Sequence, residues 1–381
     1  MHVCQLELEN FRSYDHRTVE FSPGVNVIWG KNAQGKTNLL EALFFCAVTR
    51  SFRSATDKEL TRMGQSGYRI ELDFFARGRP QHMKVLCQKG RKEFYVNGVH
   101  QQRRSQVVGT LKCVLFAPEH LSLVKSGPGE RRRFIDMSLC QLRPAYYSAL
   151  QNYQKLLEQK NVLLKRMEGR KDMAPMLGLY NEKLAGYAAD IISMRGEYLQ
   201  KLQHYGSQVQ LELSGGAEAL TLEYQPSPRV DPAMDKAEMQ VAIAQEMDRH
   251  MEREVIMRSA LVGCHRDNFD IRINGYSAKN YGSQGQQRSC VLALKMSECN
   301  IFKELYGEYP ILLLDDIMSE LDSSRKQYIV NHISDRQVVI TCCDKEVFDG
   351  LQEAQVIPVG PVEHKNEEER TEESHVYSSG Q

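Results

Sequence analysis

Gly30-Lys31-Asn32-Ala33-Gln34-Gly35-Lys36-Thr37 fits the pattern G-x-x-x-x-G-K-[ST], and each residue type has a chemical reason to be there. Glycines let the backbone wrap closely enough for N–H groups to face phosphate oxygens, and a helix that starts here presents its positive end to the same anion. Lys36 can then reach the β- and γ-phosphates, and the Thr37 hydroxyl is placed for Mg²⁺. Chance alone produces the pattern in roughly one chain in a hundred of this length, so the flanks decide. Upstream, Val25-Asn26-Val27-Ile28-Trp29 reads as a buried strand. Downstream, Leu39, Leu40, Leu43, Phe44 and Ala47 fall on one helical face. A strand, a glycine loop and a helix in that order make a phosphate loop. The expectation is an α/β fold binding ATP and Mg²⁺ through residues 30–37.

Further upstream, Leu6 and Leu8 alternate with Glu7 and Glu9, and Ser22-Pro23-Gly24 marks a turn. Further downstream come short strands near 68–75, 83–87 and 94–96, with Asn97-Gly98 as a tight turn. Residues 1–140 are thus the first part of an ATPase head. Residues 141–254 change character, to long helical stretches rich in Leu, Gln, Lys and Glu broken near 169–175, 214–216 and 225–232. They read as a helical arm inserted into the head, with helices too short and too interrupted for a sustained heptad rod. Residues 255–362 return to alternating strands and helices and form the second part of the head: strands at 269–273, 311–314 and 337–340, helices after Gly285 and near 323–334.

In that second part, Ile311-Leu312-Leu313-Leu314 runs into Asp315-Asp316. One carboxylate at such a strand end can hold Mg²⁺ and the next can orient the attacking water. Asp315 is expected to join Thr37 at the metal, and Asp316 to join Lys36 in catalysis. Ser283-Gln284-Gly285-Gln286-Gln287-Arg288 precedes an apolar helix about 30 residues ahead of the acidic strand. A small hydroxyl, a glycine and a helix N-terminus make a second anion site. Its position resembles that of the ABC-type signature, which meets the γ-phosphate held by a second subunit. On that resemblance Ser283, Gln284, Gly285 and Gln286 act in trans, with Ser283 and Gly285 catalytic, and Ser319-Glu320-Leu321-Asp322 is the D-loop.

Composition excludes less. The chain has 381 residues with 49 Lys+Arg and 49 Asp+Glu, so total charge is silent about nucleic acid. Residues 363–381, with six Glu against one Lys and one Arg, lack apolar periodicity and are expected to be a disordered acidic tail. Ten cysteines without a CxxC pair read as reduced thiols of a cytoplasmic protein. The most apolar early stretch, residues 39–48, contains Glu41 and is too short for a membrane span.

The match is closer than a superfamily. Asn10-Phe11-Arg12-Ser13-Tyr14, Asn38-Leu39-Leu40-Glu41-Ala42, Arg50-Ser51-Phe52-Arg53, Pro118-Glu119, Leu123-Val124-Lys125, Glu130-Arg131-Arg132-Arg133-Phe134-Ile135-Asp136, His265-Arg266-Asp267 and residues 283–288 resemble, in the same order, the RecF family of bacterial recombination-repair ATPases. The resemblance implies an ABC-type head with a short arm, kin to the SMC ATPases. It also implies slow DNA-stimulated ATP hydrolysis, an ATP-dependent homodimer, and binding to double- and single-stranded DNA at gaps and junctions. Work with RecO and RecR in recombinase loading follows, as do roles in replication recovery and the SOS response. Arg12 is expected at the nucleotide, and Arg131, Arg132 and Arg133 either contact DNA or form a solvated face. Cys264 stands where the family usually has Pro. Against ABC transporters, no glutamine follows Pro118, Thr341 replaces the switch histidine and Asp316 replaces a Glu, all of which suggest weak hydrolysis. A transporter ATPase subunit and an ATP-binding scaffold that never turns over stay as alternatives.

Overall fold

The computed structural model describes residues 1–53, 56–166, 174–343 and 354–360; the expected tail at 363–381 lies outside them, as does most of the break expected at 169–175. Along the chain come β1 (His2–Phe11), β2 (Tyr14–Glu20), β3 (Val25–Trp29), α1 (Lys36–Val48), α2 (Asp57–Leu60), β4 (Gly67–Ala76), β5 (Arg79–Gln88), β6 (Arg91–Val96), β7 (Val99–Gln101) and β8 (Cys113–Phe116). Then follow α3 (Pro128–Leu142), α4 (Pro144–Arg166), α5 (Ala174–Leu213), β9 (Leu220–Gln225), α6 (Lys236–Arg249) and α7 (Met251–Met257). The chain continues through β10 (Asn268–Ile273), β11 (Tyr276–Ser277), α8 (Ala278–Tyr281), α9 (Gln284–Tyr306), β12 (Ile311–Asp315), α10 (Ser323–Asn331), β13 (Val338–Cys342) and β14 (Gln355–Pro358).

A parallel sheet, β14-β3-β13-β12-β8, sits at the centre. Its strands are apolar on both faces because both are covered. Ile28, Ile311, Leu313 and Val339 pack with α1 and an antiparallel sheet, β2-β1-β4-β5-β6-β7, whereas Val27, Leu312, Leu314, Val338 and Ile340 join the core of α3, α5 and α9. Alternation along four consecutive apolar residues thus feeds two cores at once. The β6–β7 turn places Asn97 and Gly98 at φ 50° and 77°, the left-handed pair that a two-residue hairpin of this type needs.

Two expectations are overturned. Residues 220–225, inside the stretch read as helical, form β9, antiparallel to β10; Leu220, Leu222 and Tyr224 alternate with polar residues, but their partner strand lies about 45 residues further on. Nor is every helix too short for several heptads: α5 runs 40 residues without a break, about 60 Å at 1.5 Å per residue. Its internal glycines do not break it, because a buried face of Leu184, Ala185, Ala188, Ala189, Ile191, Ile192, Leu199 and Leu202 packs against neighbours, and packing outweighs propensity. At Gly196 the absence of a side chain is required: a Cβ would stand 2.4 Å from Pro232 Cβ. Among the described residues no helix is long and apolar enough to cross a membrane.

Candidate nucleotide site

β3 delivers the loop and α1 begins as it ends. Gly35 caps α1 at φ 93°, and a Cβ there would meet Ser13 Oγ and Tyr14 Oη at 2.9 Å, so this position needs glycine. The Tyr14 hydroxyl donates to Gly35 O at 3.1 Å, and Lys31 N donates to Gln34 Oε1 at 2.7 Å. No side chain caps α1 and no acidic residue occupies its first turn. Its leading N–H groups therefore suit an anion, and the site passes the test for a triphosphate.

A cavity of about 270 Å³ is lined by Asn32, Ala33, Gln34, Gly35, Lys36, Thr37, Asn38, Arg53, Asp316 and Thr341. Lys36 is 6% exposed; its ammonium donates to Gly30 O (2.7 Å) and Lys31 O (3.0 Å) and lies 3.0 Å from Cys343 Sγ. Asp315 Oδ1 accepts from Thr37 Oγ1 at 2.9 Å and from Thr341 Oγ1 at 2.8 Å. Burial pushes the Asp315 carboxyl upward, and those two hydroxyls pull against it. Asp316 N donates to Thr341 Oγ1 at 2.9 Å, which turns Asp316 into a left-handed φ of 50° and toward the cavity. Burial raises its carboxyl too, opposed by the charge of Lys36. Thr37 and Asp315 could hold Mg²⁺, and Asp316 faces the space where a water would attack.

Other residues singled out in the sequence lie elsewhere. Arg12 is behind the loop, where Nε and Nη2 grip Glu41 at 2.8 and 2.7 Å and Nη1 donates to Glu59 O at 2.9 Å. The arginine that lines the cavity is Arg53, held by Asn38 Oδ1 at 2.9 Å. Only its place in the Arg50-Ser51-Phe52-Arg53 motif hinted at it. Ser283, Gln284, Gly285 and Gln286 do not line the cavity. Ser283 caps α9 by accepting from Gln286 N at 3.2 Å, while Gln286 Oε1 accepts from Ser283 N at 2.8 Å; Ser283 and Gln284 are exposed. The residues 131–133 are not a solvated face. Arg131 is 6% exposed and donates to Asn268 Oδ1 (2.8 Å) and Ser126 O (2.6 Å). Arg132 donates to Asp267 O at 2.7 Å and Arg133 to Phe52 O at 3.0 Å.

Residues 2–366 match the family model described as RecF/RecN/SMC N terminal domain. A curated relative from Halalkalibacterium halodurans, a DNA replication and repair protein RecF, is 40% identical over 362 residues, covering 94% of this chain and 98% of its own. Two solved structures of the recombination mediator protein RecF in the RecFOR pathway are also similar. The one with ATPrS has 33% identity and a TM-score of 0.89, covering 94% of this chain and 96% of that one. The one with ATP has 34% identity and a TM-score of 0.85, covering 90% and 92%.

Proposed function

The chain belongs to the RecF/RecN/SMC N terminal domain family, on its RecF branch, and from that premise we propose that it is an ATP-driven DNA-repair clamp made of two copies of itself. Residues 30–37 bind ATP, with Lys36 against the β- and γ-phosphates. Thr37 and Asp315 hold Mg²⁺, which neutralises phosphate charge when bound. Asp316 orients the attacking water. Arg53 adds a cation at the cavity wall, and Arg12 serves the nucleotide indirectly by fastening Glu41 of α1. The clamp closes on gapped or junction DNA, which speeds a slow hydrolysis. With RecO and RecR it helps load recombinase in the cytoplasm, in recombinational repair, replication recovery and SOS induction. Residues 131–133 serve DNA binding by anchoring α3 to the head.

One observation carries the dimer. The cavity holds Lys36, Thr37 and Asp316, yet Ser283 and Gly285 stand at an exposed helix start outside it. A second copy would supply them, and a two-fold axis would then complete both sites together. Ser283→Arg puts a bulky cation where a small hydroxyl and a glycine backbone must close on phosphate. ATP should still bind the monomer, while ATP-dependent dimerisation (light scattering) and hydrolysis should fail. Mixing Ser283→Arg with Lys36→Met chains assembles one intact composite site, so part of the hydrolysis should return. Normal dimerisation and turnover by Ser283→Arg alone would rule out the shared site.

A further inference from the structure

Charge is spread unevenly over this chain. Residues 77–104 hold eight Lys and Arg against a single Glu, although the whole chain has 49 of each sign. Across the outward face of the antiparallel sheet the charges neutralise one another. Arg69 bridges Glu7, Glu9 and Glu71 at 2.8, 2.8 and 3.0 Å, and Lys84 pairs with Glu71 at 2.8 Å. Arg77 lies over the Tyr306 ring.

Four of the remaining cations gather at one end of that sheet, while exposed Arg79 stands at the β4–β5 turn at the other. Lys89 and Arg91 flank Gly90 at the tip of the β5–β6 hairpin, and all three are exposed. β7 runs back along β6, Phe94 opposite Gln101, and so delivers the exposed Arg103 and Arg104 to the same end. Exposed Arg50 follows α1, and the end of α1 meets the turn that starts at Arg104: Gly109 N donates to Ala47 O and Val108 N to Arg104 O, both at 3.0 Å. Among the described residues none of the five has a carboxylate within ion-pair distance. This end of the sheet also meets the phosphate loop, since β1 ends at Phe11 and Ser13 and Tyr14 lie against Gly35.

We propose that Arg50, Lys89, Arg91, Arg103 and Arg104 form a rim that grips the phosphate backbone of duplex DNA. The proposal rests on the DNA reading above and gives it a surface, one that does not depend on residues 131–133, whose guanidinium groups already donate to protein oxygens. Uncompensated, exposed cations suit a regular polyanion, releasing its counterions as they bind. Among the described residues the rim interposes no exposed aromatic ring on which unpaired bases could stack, so its fit is to the double-stranded backbone.

The test combines Lys89→Gln, Arg91→Gln, Arg103→Gln and Arg104→Gln and follows fluorescence anisotropy of a labelled duplex, with ATP present, over a range of salt. The log–log salt slope should fall by about 0.9 for each phosphate that the rim no longer neutralises, with ATP affinity unchanged. Arg69→Gln, from the neutralised ladder, should keep the wild-type slope. Should the fourfold variant unfold, Arg91→Gln and Arg104→Gln alone should each lower the slope by about 0.9. Wild-type slope in these variants, with ATP-dependent DNA binding intact, would remove the rim and leave the DNA reading standing. Absence of duplex binding by the wild type would remove both. Rim-dependent binding to phosphatidylserine vesicles in preference to duplex would make the partner a membrane and overturn the proposal.

Discussion

Asp315 and Asp316 are consecutive, yet their surroundings differ in the way their proposed roles require. Asp315 ends a central strand with its oxygen held by two hydroxyls, while Asp316 is rotated by a left-handed backbone into the cavity beside Lys36. A group already fastened suits a metal, and a free one suits a water. Asp316→Asn removes the proton acceptor while keeping a residue type that tolerates positive φ, so the turn should survive. Mg-ATP affinity should persist and kcat should fall by about 10²-fold or more, the usual weight of a positioned base. Single-turnover kinetics on the variant checks this, and an unchanged rate would assign the water to another group.

At the scale of elements, the start of α9 and the segment after β12 are fastened together. Arg325 of α10 donates to Gly285 O at 2.6 Å and to Ser289 Oγ at 2.8 and 3.0 Å, and pairs with Asp322, the cap of α10. Arg288 of α9 donates to Glu320 O at 2.6 Å. The helix start proposed to meet a partner's nucleotide is thereby fastened to the segment that follows Asp316 in its own head. Arg325→Ala should leave monomer ATP affinity intact while lowering kcat roughly 10- to 100-fold through misplacement. Arg325→Lys should not restore it, because a single ammonium does not span two acceptors as a planar guanidinium does. Full rescue by Lys would show that charge alone matters.

Across the whole molecule, the long helix is bolted to the head at a buried network. Fully buried Arg195 of α5 donates to Asp267 Oδ2 (2.7 Å), Cys264 O (2.7 Å) and Asp136 Oδ1 (2.8 Å), and Tyr224 Oη donates to Asp267 at 2.6 Å. The His265-Arg266-Asp267 motif is therefore a joint. Beside it, Tyr153 Oη lies 2.7 Å from His265 Nδ1, and burial pushes this imidazole from 6.5 down to about 4. Well above pH 6.5 the ring is neutral in both folded and unfolded chains. As pH falls from about 6.5 to 4, the unfolded chain takes up a proton that the folded one refuses, so this group withdraws up to about 3 kcal/mol of stability. Asp267, also pushed up by burial, acts in the opposite sense, so the comparison must be with a variant. Urea unfolding of His265→Gln should show a shallower loss between pH 6.5 and 4 than the wild type. Parallel curves would mean that another group controls the acid limb.

The phosphate loop, the buried strands and the α1 face were legible in the sequence because each depends on neighbours within a few positions: glycine freedom, alternation and helical period act locally. The family was legible because its motifs are short and keep their order. Other features waited for the fold. β9 needed β10 to pair with, and α5 needed a continuous packed face to run through its glycines. Arg12 and Arg53 look alike in the sequence and both pair with Glu41, at 2.7 and 3.6 Å, yet only the fold shows that Arg53 reaches the cavity wall while Arg12 is also tied to Glu59 O. Arg131 and Arg104 likewise carry the same charge in the chain. Folding sets Arg131 against Asn268 and leaves Arg104 facing solvent, and only that difference in desolvation decides which one has hydrogen bonds left for a phosphate.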